Sequence, residues 1–179
     1  MKKSKFAIAS LGLFLMFSLT AYATERAQPE FDHRHWKLGW SRNNGEAIFE
    51  EYVLEGETVE NWSELITSQF YPGLQKVTNP DLFEGGKRAY LSLVCPEIVW
   101  KSLYQTPDER MWEWSIQGCQ GQQDQSEIAR LVRTQQGFHI LHYAIKKVPL
   151  SDNIRQLWIN KLKAFKITES EAQRDRKGL

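Results

Sequence analysis

The chain has 179 residues, with 23 Lys and Arg against 22 Asp and Glu for a formal net charge of +1. That balance gives no global electrostatic reason to expect nucleic acid or an anionic membrane as partner. The length suits one domain able to bury most of its unfolded surface without staples.

The first 23 residues read as an address. Lys2, Lys3 and Lys5 make a positive start, Phe6 to Leu19 is apolar or small, and Ala21-Tyr22-Ala23 sets small residues where signal peptidase cuts. The apolar run is shorter than the ~20 residues of a spanning helix. The expectation is a cleaved leader over 1–23, a mature start at Thr24 and no stable membrane anchor after cleavage. Cleavage removes three lysines and no acid, which takes the formal charge to −2. The destination is secreted or periplasmic.

Thr24 to Asp32 is polar and holds Pro29, so a loose arm is expected. "HWKLGWS" alternates, with Trp36, Leu38 and Trp40 on one face, and predicts a strand with that face buried. Asn44-Gly45 is a hairpin dipeptide, and "AIFEEYVLE" reads as the returning strand. Trp62, Leu65, Ile66, Gln69 and Phe70 fall on one helical face between Thr58 as cap and Pro72-Gly73 as stop, so a helix is expected over 59–71. In the next stretch Leu82, Ala89, Leu93 and Val94 line a helix interrupted by Gly85-Gly86. "RAYLSLV" also alternates like a strand, and the helix is preferred.

"EIVWKSLYQ" and "MWEWSIQG" read as strands around a turn at "TPDE", with Pro107 at its second position. "SEIARLVRTQQG" and "FHILHYAIKK" add two more. The last has apolar residues on both faces, which predicts a central strand covered on both sides. "SDNIRQLWINKLKAF" is an amphipathic helix capped at Ser151, with Ile154, Leu157, Trp158, Leu162 and Phe165 apolar. From Thr168 to Leu179 a disordered tail is expected. The whole predicts one α+β domain over 24–167, a mostly antiparallel sheet packed with two or three helices.

The succession "CPEIVW", "MWEWSIQGC", "QSEIARLVR", "FHILHYAIKK" and a Trp-bearing last helix resembles a group of small exported bacterial proteins of unassigned function, over roughly Gly39 to Phe165. The order of elements is similar to the Mog1/PsbP/DcrB-like α/β/α sandwich. The resemblance implies that fold and a binding or assembly role. It carries no catalytic motif.

The residues add little chemistry of their own. His33 and His35 have a His-x-His spacing but belong to the approach to the first strand, where a solvated role fits better than a metal. His139 and His142 lie three apart on a strand, so they face opposite sides and cannot share an ion; each reads as a buried, hydrogen-bonded histidine. No nucleophile elbow, zinc motif or phosphate loop is present. Gly85-Gly86 before Lys87-Arg88 lacks the frame of an anion site and reads as a break. Glu50, Glu51, Glu55 and Glu57 read as an exposed acidic rim. A possible binding surface is placed at Trp100, Trp112, Trp114, Gln120, Gln122 and Gln123, because paired indoles form hot spots and the glutamine-rich loop is polar and flexible.

Hairpin pairs around Thr106–Glu109 have residue numbers adding to a constant near 214, and Cys95 and Cys119 meet that sum. They are expected to form a disulfide at the open end, in an oxidising compartment. The functional expectation is an exported, non-catalytic binding or assembly module with a protein partner and no cofactor. The alternatives are a hydrolase or other enzyme with an unrecognised site, and a carrier of a small apolar ligand.

Overall fold

The structure, a computed structural model, describes residues 25–169. The leader, Thr24 and the tail beyond 169 lie outside these residues. The elements are β1 (Glu25–Gln28), β2 (Trp36–Asn43), β3 (Ile48–Leu54), β4 (Glu64–Pro72), α1 (Pro80–Val94), β5 (Val99–Gln105), β6 (Glu109–Ile116), β7 (Gln125–Arg133), β8 (Gly137–Ile145), α2 (Asp152–Ala164) and β9 (Lys166–Glu169). Seven strands form one antiparallel sheet in the order β2-β3-β4-β8-β7-β6-β5, and β1 pairs with β9 in a separate ribbon. This is an α+β fold.

Strand parity builds a core on each side of the sheet. Met111, Ile128, Leu141, Tyr143 and Ile145 pack with Trp158 and Leu162 of α2. Their alternates Trp112, Ala129, Ile140 and Phe138 pack with Leu91 of α1. The helices therefore cover opposite faces. β8 lies between β4 and β7, and all nine of its residues are buried, as its two-sided apolar pattern predicts. Arg130 of β7 donates to the carbonyls of Leu162 (3.0 Å) and Lys163 (2.9 Å), satisfying the end of α2. Arg155 clamps Glu113 of β6 from the first turns of that helix. Ser151 occupies the cap position of α2 without a side-chain hydrogen bond, and Leu157 is exposed.

Five expectations are corrected. The helix expected over 59–71 is instead β4, in which Ile66, Ser68 and Phe70 are buried on one face. Ile66 and Phe70 satisfy a period of four and a period of two alike, and pairing with β3 and β8 selects the strand. The expected loose arm contains β1, and Thr168 of the expected tail lies in β9 opposite Arg26. On β2 only Trp36 packs inward. A register shift between Leu38 and Trp40 interrupts the alternation, and those two side chains are 52% and 40% exposed on an edge strand. Gly85 and Gly86 interrupt nothing, since α1 runs through both. The β2–β3 hairpin forms as expected, with Gly45 in the left-handed region and Asn44 outside it.

Candidate binding surface

α1 starts at Asn79, whose side chain accepts the Leu82 N–H at 2.9 Å, with Pro80 in the first turn. Its orientation follows from what the sheet beneath requires. Arg110 of β6 is buried and holds Asp81 through Nε at 2.9 Å, with Glu84 at 3.8 Å. Glu84 also accepts from Ser102 Oγ (2.6 Å) and Trp100 Nε1 (3.3 Å). Glu84 and Lys87 lie on the inner side of the helix alongside Phe83 and Leu91, while Asp81, its side chain 72% exposed, reaches Arg110 from the margin. Of the four residues expected to line the helix, Leu82 (66% exposed), Ala89 and Leu93 (85%) turn outward and Val94 is half-buried; Tyr90, 62% exposed, stands beside the outward three.

The Cys95–Cys119 disulfide is present, with Cα atoms 5.6 Å apart. Ladder pairs from Val99–Ser115 to Ser102–Trp112 add to 214. Near the turn the sum is 215, and a register shift between Ser102 and Tyr104 restores the value the cysteines share. Cys95 is the residue that closes α1. The bond thus anchors the end of the helix to the loop carrying Gln120, Gln122 and Gln123, all exposed as expected. Trp112 and Trp114 are corrected. Both are buried, so neither offers a surface to a partner. Trp100 is half-buried and stacks on Trp112 with centroids 5.8 Å apart.

Beneath α1, Glu127 accepts from Trp114 Nε1 (2.9 Å) and sits 2.8 Å from His142 Nδ1. Burial pushes the Glu127 carboxyl up, but His142, Lys87 and the Trp114 N–H outweigh it and hold it below the ordinary range. His142 Nε2 is buried without a hydrogen-bond partner. On the other face, His139 Nε2 lies 3.2 Å from Glu25, and its ring stacks on Phe70 at 4.3 Å. Burial lowers its pKa against the opposing pull of Glu25. The two histidines face opposite sides, as strand parity predicts.

His33 and His35 are exposed, while their neighbours Asp32 and Arg34 enter a network. Arg34 grips Glu64 through two hydrogen bonds (2.6 and 2.8 Å), and Glu64 accepts from the Tyr143 hydroxyl at 2.5 Å. Burial and Glu64 push the Tyr143 hydroxyl well above the usual tyrosine range. Of the acidic rim, Glu50 accepts from Tyr52 at 2.9 Å, and burial raises the Glu51 carboxyl. Charged residues at inward strand positions, such as Glu127 among "SEIARLV", were the available signal for these networks.

A cleft of about 690 Å³ opens where the β2–β3 loop, the end of β4 and the β7–β8 turn meet. Four amides (Asn43, Gln75, Gln135, Gln136), Lys76 and Phe70 are among its walls. Among the described residues its lining contains no carboxylate, histidine, serine or cysteine to move a proton or attack a bond. Among the described residues no group of three or more His, Cys, Asp or Glu is placed to hold a metal ion. Set against known protein families, curated proteins and solved structures, the chain finds no match in any of the three.

Proposed function

We propose that this protein is an exported, non-catalytic binding or assembly module that works through the outward face of α1. The observation that carries the reading is the helix's orientation. Its inner side carries ion pairs and hydrogen bonds together with Phe83 and Leu91, and three large apolar side chains stand in water on the other. Contiguous apolar surface of this kind marks interaction sites. The disulfide and the leader-like start of the sequence support export, because such bonds persist in oxidising compartments. Among the described residues no helix is long and apolar enough to cross a membrane.

A photoactivatable residue at position 93, in cells that express the protein natively, tests the reading. Protein adducts from position 93 are expected, with none from the exposed position 156 on α2. The absence of any adduct from position 93 would overturn it.

A further inference from the structure

We infer that the occupant of this face is a second copy of the chain, with the two α1 helices packed antiparallel about a two-fold axis. The inference rests on the binding role proposed above and names its partner. At 100° per residue, Leu82, Gly86, Ala89 and Leu93 fall within a sector of about 60°, with Tyr90 at its rim. The stripe is self-complementary. Around an axis midway between Lys87 and Arg88, facing positions have numbers adding to 175, so Leu82 meets Leu93 of the other copy and Gly86 meets Ala89. The 4-3-4 spacing is common to helical stripes; what suits an isologous contact is the match of residue types, with Leu at both ends and Gly and Ala between.

The middle of the stripe admits close approach. A Cβ placed on Gly85 or Gly86 meets nothing within 4 Å, so the outer surface of that turn is bare backbone. Tyr90 of each copy reaches over the bare Gly85-Gly86 turn of the other. The flanking charges Asp81 and Arg88 lie about 110° and 130° round the helix from the stripe's centre, so like charges do not meet at the axis.

The area also fits a self-contact of modest strength. Leu82, Tyr90 and Leu93 leave on the order of 450 Å² of side chain uncovered, within the roughly 300–600 Å² of the largest patch on a typical monomer. The helix runs about 22 Å, and the apolar area stays below the roughly 800 Å² per partner of a standard interface, in the range of a weak, transient one. A contact of this size is reversible and depends on concentration.

Sedimentation of the purified protein over a concentration series reads the association directly. A monomer–dimer equilibrium is expected. Leu82→Lys and Leu93→Glu should each weaken it by roughly tenfold or more. The double variant should recover it, because each introduced ammonium then faces the introduced carboxylate of the other copy. A second measurement fixes the register. Chains carrying Leu82→Cys should cross-link to chains carrying Leu93→Cys and not to one another, since the two copies of position 82 are separated by about 16 Å along the helices. A double variant no better than the singles, or cross-linking of Leu82→Cys chains among themselves, would overturn the antiparallel pairing. A monomer at every concentration, with position-93 adducts to a different protein, would overturn self-association and leave the binding role standing. A monomer without adducts would remove both.

Discussion

Cys95 closes the last turn of α1, and its bond to Cys119 ties that turn to the loop after β6. The two residues are 24 apart in the chain. In the chain-entropy account, a loop of that length withdraws about 3 kcal/mol of freedom from the unfolded state. The double variant Cys95→Ala/Cys119→Ala should lose about that much stability, read as a lower urea midpoint, with a steeper slope because the unfolded chain is then freer to expand. Peptide mapping of unreduced protein should recover a Cys95–Cys119 linked pair.

The two sides of α1 should respond oppositely to truncation. Leu91 is buried against the sheet, and Leu91→Ala should cost about 2–5 kcal/mol. Leu82→Ser and Leu93→Ser, on the exposed stripe, should stay within about 0.5 kcal/mol when unfolding is measured on the dilute monomer. A large loss from either serine variant would show that the stripe is covered within the fold.

Gly137 opens the central strand where β8 meets β4. A Cβ there would stand 2.2 Å from the Tyr71 carbonyl oxygen and 2.7 Å from the Phe70 ring. Neither backbone nor buried ring yields cheaply, so Gly137→Ala should destabilise by roughly 1–3 kcal/mol. Gly85→Ala, in open space on α1, should instead be neutral or stabilising. Thermal melts of the two variants make the comparison.

Stability should fall with acidification in two stages. Burial depresses the His139 pKa below 6.5, so the unfolded chain takes up that proton first. The histidine's contribution is complete above pH 6.5 and is lost as pH falls through the folded value. Glu127 acts lower: its carboxyl is held below 4.5 in the fold, so its contribution is present above that value and lost beneath it. Urea midpoints between pH 7 and pH 3 should trace both. His139→Gln should flatten the upper limb and Glu127→Gln the lower.

Where neighbours in sequence are also neighbours in space, the residues alone determined the outcome. The β5–β6 hairpin, the runs that become β7 and β8, and the pairing of Cys95 with Cys119 all rest on strand parity and short turns. A turn at Thr106–Glu109 leaves few ways to close them. The buried state of β8 was legible because apolar residues occupy both its faces. The two-sided packing of the sheet also follows from that strand.

Tertiary structure decided what periodicity leaves open. Leu65, Ile66 and Phe70 fit a helix in isolation, and the ladders offered by β3 and β8 make that segment a strand. β1 looked like a polar arm because its partner β9 lies at the far end of the described chain, beyond the reach of any local pattern. On α1 the sequence determined which residues share a face, since that depends only on the 100° turn. Which face meets the sheet was settled by Arg110, Ser102 and Trp100, whose side chains require Asp81 and Glu84 as partners. Without those carboxylates Arg110 would be buried with no charged partner, a loss of about 3–5 kcal/mol that nothing in the helix's own periodicity registers.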